Sequence, residues 1–596
     1  MTEKRRPVSG LAAPVVPARG IGIARAGMPP RAAVPALPRP ASLLAAAAAH
    51  WPLLLAVAAL WLSTLILAAL TMRASGGHLV YMRDDPYIHM AIAKNLARHG
   101  VWGLTRHEFS SSSSSVLWPL LLAGAYALFG VRDSLPLLLN LACATALCLL
   151  CYALLRREGV TPVSSAALLL AVVFLTPLPA IMFSGLEHTL QIVLAVALAW
   201  CAADALSAVG GEVRWRHALI ILAPLLVAAR FEGAFLVAIV CGLLVLSGRR
   251  LFGLLLGLSG LVPIAAYGAV SLAEGWYVLP NSVMLKGPTT DLFSLARLAA
   301  IFEPTSAHLA TLLAAALLVA WLGWRQGGWR QGGWRRGAWK HDRIWLLNAI
   351  FLAASASHLM FARLGGGFRY EGYLLAMGML GVGTVAAKRL GHGMLSQGRL
   401  ASFSGLRDRG TAALCALCLL ALIPSLGRGA ISATRVWRSA ANIYQQQYQM
   451  GLFLGRYYQG RTVCLNDIGA PNYLADIRCI DLWGLSSVPV AQAMLAGSYD
   501  TNKMRQVALG GGADIAAVYR HWYEDYGGLP PEWRKVGQWT ISNNVVCGGD
   551  TVSFYAVKPA EAARLRACLK EFSPRLPRGV AWEVFDAQGR VLAQGR

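Results

Sequence analysis

Two adjacent carboxylates, Asp84 and Asp85, stand in the run Met82-Arg83-Asp84-Asp85-Pro86-Tyr87. A carboxylate beside a substrate hydroxyl can take its proton, and a second carboxylate next to it can raise the first one's pKa or help to hold a divalent cation. Asp85 before Pro86 also has the pattern of a helix N-cap with proline at the first helical position. The expectation from the residues is that Asp84 acts as base while Asp85 caps the helix, tunes its neighbour or shares a cation. A cation held by Asp84 and Asp85 would need a third ligand that the run does not supply.

Further ionisable or polar residues interrupt apolar surroundings: Lys94, Glu187 with His188, Arg230 with Glu232, Asn281 with Lys286, and Arg369 with Glu371. Ionisable groups at membrane depth are costly and tend to line a cavity, so groups of both signs on one face predict a polar pocket there. Arg230, Lys286 and Arg369 come from three separate stretches, which suits a phosphate: arginine binds its oxygens in a fork and lysine acts as a point charge. The six serines Ser110 to Ser115 read as a flexible polar segment.

The elements that must position these residues follow from composition. The chain has 596 residues, 56% of them hydrophobic and 14% charged, against about 25% charged in a soluble domain. A net charge of +25 would suit nucleic acid in a soluble protein. Here most Lys and Arg fall in short gaps between apolar runs, the positive-inside pattern of a membrane protein, and nucleic acid is set aside as a partner.

Residues 1–42 form a basic, proline-rich arm expected to be disordered and cytoplasmic, and a cleavable signal peptide is not expected because the first apolar run starts late and is long enough to span. Residues 43–427 are expected to be a membrane domain. Its first span, 51–72, exits outward and leaves 73–115 as the first outer loop. The run 116–130 would reach only about 22 Å as a helix and is expected to lie in the interface. Further spans near 134–155, 163–182, 189–209, 217–229, 233–247, 251–272, 307–324, 344–362, 371–387 and 411–427 bring the total to about eleven crossings. Every strongly basic loop then lies inside, including the Arg-Gln-Gly-Gly-Trp repeats between Trp324 and Trp339, and the acidic pair lies outside. The short runs 217–229 and 233–247 are read as two tilted helices meeting at an outer turn.

An odd number of crossings places 428–596 outside. Strand patterns at Thr462 to Leu465, Arg478 to Leu482 and Val552 to Val557 predict a small extracytoplasmic α/β domain. Of the eleven cysteines, Cys464, Cys479, Cys547 and Cys568 follow the last apolar run and are disulfide candidates if the tail faces an oxidising compartment; 464 with 479 and 547 with 568 is one pairing, and the sequence does not fix the connectivity.

Taken together, these stretches resemble a family. Asp84-Asp85-Pro-Tyr-Ile-His-Met-Ala-Ile-Ala-Lys94-Asn-Leu-Ala-Arg-His-Gly100, the serine-rich segment and Leu117-Trp-Pro-Leu120 are similar to the first outer loop of bacterial GT-C glycosyltransferases, with the AftB-like arabinofuranosyltransferases of the bacterial envelope as the nearest subgroup. Phe183-Ser-Gly-Leu-Glu187-His-Thr resembles the family's Ser-Gly-Met-Glu-Thr, Arg230-Phe-Glu232-Gly its Arg-Pro-Glu-Gly, and Leu279-Pro-Asn281 to Lys286 its Leu-Pro-Asn followed by Lys. Asp467-Ile-Gly-Ala and Asp481-Leu-Trp-Gly-Leu485 resemble a motif of its outer domain. His188 and Phe231 stand where the family has threonine and proline.

The resemblance implies a polytopic GT-C fold and a polyprenyl-phosphate-linked sugar as donor. It also implies inverting transfer, on the outer face of a bacterial inner membrane, to an envelope glycan, lipid or protein. Asp84 would be the base and Asp85 its partner, with Glu187, Arg230, Glu232, Asn281 and Lys286 lining donor or acceptor subsites. No cofactor is required by this reading beyond a divalent cation at the acidic pair, if any. A transporter or flippase of lipid-linked sugars is the competing expectation, but such proteins place their polar residues near the bilayer midplane rather than at one face.

Overall fold

The computed structural model describes residues 48–207, 213–286, 306–326, 342–362, 365, 368–395 and 408–596. The arm 1–42, the tryptophan repeats between 327 and 339 and the side chain of Lys286 lie outside the described residues. The chain divides after Ala49, and every element below belongs to the unit His50–Arg596.

Helix α1 (Trp51–Ala74) shows Leu54, Leu62, Leu65 and Ile66 at its surface. A helix apolar all round has no face for water and suits lipid. After it come α2 (Asp85–His99), α3 (Leu117–Phe129), α4 (Leu135–Arg157), α5 (Pro162–Leu175), α6 (Leu178–Met182), α7 (His188–Ser207) and α8 (Val213–Ala229). Next are α9 (Gly233–Leu246), α10 (Arg250–Ala273), α11 (Asn281–Lys286), α12 (Ala307–Gln326), α13 (Arg343–Phe361), α14 (Gly372–Leu395) and α15 (Arg409–Ile443). A helix lies on each segment expected to span. Six, α1, α4, α7, α10, α13 and the helix starting at Arg409, are long and apolar enough to cross a membrane. The chain is a polytopic membrane protein.

Two expectations need adjustment, those for 163–182 and for the boundary at 428, while the pair of short helices is found as expected. The segment 163–182 is not one helix: the chain breaks at Thr176 and Pro177, where proline lacks the N–H a continuing helix needs. The short runs 217–229 and 233–247 are two helices, and Gly233 packs so closely on Leu226 that the chain doubles back there. The boundary expected at 428 falls inside α15, whose 35 residues run on through a π-helical turn, Tyr444–Tyr448, into α16 (Gln449–Tyr457). Beyond Gly427 the buried positions Ser432, Val436, Ser439 and Ala440 follow helical spacing, so the lipid-facing pattern passes into a protein-facing one without a linker.

The C-terminal domain carries a seven-stranded sheet. In chain order its elements are β1 (Thr462–Leu465), α17 (Gly469–Leu474), β2 (Arg478–Asp481), α18 (Val488–Leu495), α19 (Thr501–Gly510), β3 (Ile515–Val518), β4 (Arg534–Ile541), β5 (Thr551–Ala556), α20 (Glu561–Phe572), β6 (Val580–Phe585) and β7 (Val591–Gly595). Strands β2, β1 and β3 are parallel and the rest antiparallel, in the order β2-β1-β3-β5-β4-β6-β7. Phe453 of α16 enters its core with ring centres 5.5 to 5.7 Å from Trp539, Phe554 and Phe572. Burying that ring fixes the helix leaving the membrane domain to the sheet.

The four candidate cysteines are free thiols. Cys479 lies opposite Val463 in the β1–β2 register, one residue before Cys464. Successive strand residues point to opposite faces, so Cys464 and Cys479 are directed to different sides of the sheet. Cys547 is engaged otherwise, its thiol lying 3.3 Å from Gln447 Oε1.

Candidate active site

The acidic pair opens α2, and its two members face different ways. Asp84 turns to the C-terminal domain, its carboxylate oxygens accepting the N–H groups of Gly469 at 2.6 Å and Ala470 at 2.8 Å. Those N–H groups belong to the first turn of α17, where a negative charge is favoured. One face further along α2, Lys94 donates to the carbonyls of Asn472 at 3.2 Å and Tyr473 at 2.5 Å, at the other end of α17. The side chains of Asp84, at the start of α2, and Lys94, within it, thus hold both ends of a short helix of the C-terminal segment. Gly469 is required at this contact, since a Cβ there would collide with the Asp84 backbone carbonyl.

Burial and the nearby Asp467 carboxylate raise Asp84 to about 8, although its two N–H donors pull the other way. Burial lowers Lys94 to about 8. Neither residue borders the cavity beside Asp85. Asp84, the expected base, and Lys94, an expected binding residue, are both engaged with the backbone of α17: the two oxygens of Asp84 are occupied by N–H donors, and Lys94 is held by carbonyls.

Asp85 faces the other way. Its carboxylate accepts a hydrogen bond from Arg369 Nη2 at 2.9 Å and borders a cavity of about 230 Å³. Around it stand His89 of α2, Ser112 and Ser114 of the serine run, Arg230 and Glu232, His358 of α13, Arg369 and Tyr370, with Leu485 supplied by the C-terminal domain. Because Asp84 and Asp85 diverge, they do not converge on one cation, and no group of three His, Cys, Asp or Glu residues is gathered to hold a metal among the described residues.

Arg230 is held by two carboxylates, Glu187 at 2.6 Å and Glu232 in a fork at 2.6 and 3.2 Å. Glu187 and His188 are fully buried behind it, His188 with Nε2 3.5 Å from the guanidinium. They position Arg230 and do not themselves border the cavity. The Tyr370 ring lies between two guanidiniums, 5.4 Å from Arg230 and 5.1 Å from Arg369. Arg369 is only 5% exposed, yet its Nε and Nη1 have no partner among the described residues. Buried N–H donors of a cation without an acceptor are expensive and are satisfied best by an anionic ligand. Burial and the neighbouring Arg369 charge lower Arg83 to about 10, a further sign of excess positive charge here.

Asn281, expected at a subsite, is engaged with backbone groups beside the cavity-lining Ser282. Its side chain donates to the carbonyl of Gly484 at 2.9 Å, and its N–H donates to Ser111 at 3.0 Å. It ties the loop after β2 to the serine run. The serines are not a flexible linker: Ser111 bonds Tyr267 at 2.8 Å, Ser113 lies 3.3 Å from His89, and Ser114 donates to Glu187 at 3.4 Å. Glu371 turns away from the cavity to Arg428 of α15 at 2.7 Å.

Sequence reasoning missed His89, Gln191, His358 and Tyr370 as lining residues. Tyr370 was within reach, standing between Arg369 and Glu371; the histidines and Gln191 lie in helices and carried no signal.

Comparison with known proteins adds the following. A family model described as a domain of unknown function, DUF8728, matches residues 441–555. That span covers α16 and most of the sheet. The fold is similar to the crystal structure of ArnT from Cupriavidus metallidurans bound to undecaprenyl phosphate, at 14% identity and a TM-score of 0.46, over 86% of this chain and 99% of that one. It is similar to the apo state of the same protein at 14% identity and a TM-score of 0.46, over 87% of this chain and 99% of that one. No curated protein matches the chain.

Proposed function

We propose that this protein is a membrane glycosyltransferase that moves a sugar from a polyprenyl-phosphate donor to an envelope glycan, lipid or protein on the outer face of a bacterial inner membrane. The observation that carries this reading is the pairing of Asp85 with Arg369 at a cavity where two buried N–H donors of Arg369 have no partner among the described residues. A phosphate ester supplies the missing acceptors, and an adjacent carboxylate supplies the base. Support also comes from the motifs that resemble GT-C enzymes: Asp85, Arg230 with Glu232, Ser282 beside Asn281, and Leu485 come from four distant stretches and border one cavity.

In this mechanism the phosphate of the donor sits against Arg369, while Arg230, neutralised by Glu187 and Glu232, shapes the cavity wall beside Tyr370. Asp85 takes the proton of the acceptor hydroxyl as its oxygen attacks the anomeric carbon. The bond from that carbon to the phosphate oxygen breaks, and polyprenyl phosphate leaves with its added charge met by Arg369. Attack opposite the leaving group inverts the anomeric centre. Glu187, Glu232 and His188 keep Arg230 in place, and Lys286 is carried over from the resemblance as a further phosphate contact. The sugar is left open, with an arabinofuranosyl donor as the subtype the sequence resemblance suggests.

The test is to incubate purified protein with a panel of polyprenyl-phosphate sugars and follow release of polyprenyl phosphate. Turnover of one of them supports the reading; inertness toward the whole panel, with the protein folded, refutes it. A reporter fused after Arg596 tests the side independently, because activity characteristic of the cytoplasm would place the cavity on the wrong face.

A further inference from the structure

A second cavity, of about 690 Å³, opens between the outer loops of the membrane domain and the C-terminal domain. Three separate chain segments border both cavities. Glu108 and Phe109 line the second while Ser112 and Ser114 line the first; Trp276 lines the second and Ser282 the first; Ser486 lines the second and Leu485 the first. Leu485 and Ser486 are consecutive residues, about 3.8 Å apart at their Cα atoms, so the two cavities approach each other at this point of the chain. Asp481 shapes this stretch by accepting the N–H groups of Trp483 and Ser486, both at 2.7 Å.

The chemistry of the second cavity differs from that of the first. The Phe109 and Trp276 rings meet edge to face at 6.1 Å and 73°. Beside them, the carboxylates of Glu108 and Glu274 and the ammonium of Lys503 have no protein partner among the described residues. With Asp481 the cavity has three carboxylates against one ammonium, a balance that disfavours an anionic polymer. Aromatic faces beside free carboxylates suit a molecule with apolar C–H faces and a rim of neutral hydroxyls. The open shape suits a chain running past it, not a small ligand enclosed on all sides.

We propose that this cavity binds a neutral oligosaccharide, and, resting on the transferase reading above, that it holds the acceptor glycan a few sugar units from the hydroxyl that reacts at Asp85. Trp276 stacks against a sugar ring and Glu108 and Glu274 accept from its hydroxyls.

The experiment uses the full chain in detergent and neutral hexasaccharides of glucose, mannose and arabinose as probes, with binding measured by calorimetry. At least one hexasaccharide is expected to bind, and Trp276→Ala and the double variant Glu108→Gln/Glu274→Gln are each expected to weaken it tenfold or more. The glutamine pair is surface-exposed and keeps the side-chain volume, so it stands even if the tryptophan variant misfolds. With donor and acceptor both present, the same variants are expected to raise the acceptor KM at least tenfold while the KM for donor stays within twofold.

Absence of binding by every probe, or binding that neither variant changes, overturns the proposal. If hexasaccharide binding depends on Trp276 but no polyprenyl-phosphate sugar is turned over, the oligosaccharide site stands and the transferase reading falls. Donor turnover with no hexasaccharide binding gives the reverse.

Discussion

Asp85 and Arg369, 284 positions apart in the chain, meet at 2.9 Å on the edge of the cavity, while Asp84, one residue before, points to the opposite side and binds the first turn of α17. Neighbouring carboxylates of the same type are thereby given different work, one at a ligand cavity and one at a domain contact.

The two aspartates should separate on mutation. Asp85→Asn is expected to lower transfer by about 10²- to 10⁴-fold, the usual worth of a general base, with little change in melting temperature. Asp84→Ala strands two buried N–H donors and is expected to cost about 1–3 kcal/mol of stability while sparing turnover per folded molecule. Turnover and thermal melting measured on both variants decide this. Loss of turnover in Asp84→Ala at full stability would return the base role to Asp84.

Arg369→Lys keeps the charge but loses the planar fork, so the donor KM is expected to rise about tenfold. Arg369→Ala is expected to be worse, because it also leaves Asp85 without its cation. Steady-state kinetics with varied donor checks both; an unchanged donor KM in the alanine variant would remove the phosphate from this position.

Asp84 is raised from 3.8 to about 8 in the folded protein. An acid whose pKa is raised on folding holds its extra proton in the native state. Its contribution to stability is therefore complete below about pH 4 and is lost as pH rises through about 8. The melting temperature is expected to fall across that window, and to fall less in Asp467→Asn, where the facing carboxylate is gone. Tyr87, Tyr519 and Cys547 also face this group, the Asp85 charge acts on it from one residue away, and all four are unchanged in that comparison. Equal pH slopes for the two proteins would contradict the assignment.

Gly469→Ala drives a methyl group into the Asp84 carbonyl and is expected to destabilise the protein by about 1–3 kcal/mol. Gly427→Ala, with open space around it, is the control and is expected to be neutral or slightly stabilising. Similar melting shifts for both would mean that α2 and α17 do not meet as described.

All eleven cysteines are expected to react with a thiol reagent in denaturant without reductant. A count two short would restore a disulfide, and only if mapping placed it between Cys464 and Cys479 would β1 and β2 have to pair in a different register.

The sequence by itself determined that the chain spans a membrane, because runs of about 20 apolar residues admit no other solvent. It pointed to a C-terminal α/β fold through strand patterns, and it drew attention to Asp84, Asp85, Glu187, Arg230, Glu232 and Arg369 as charges in costly places. Only the tertiary structure decided which of these share a cavity. A helix turns its side chains by about 100° per residue, so two adjacent aspartates at its start face apart, and which one meets Arg369 depends on where α17 docks. For the same reason Lys94 and Asn281, polar and well placed along the chain, became contacts between domains: their partners are backbone groups of α17 and of Gly484, which no pattern of side chains announces.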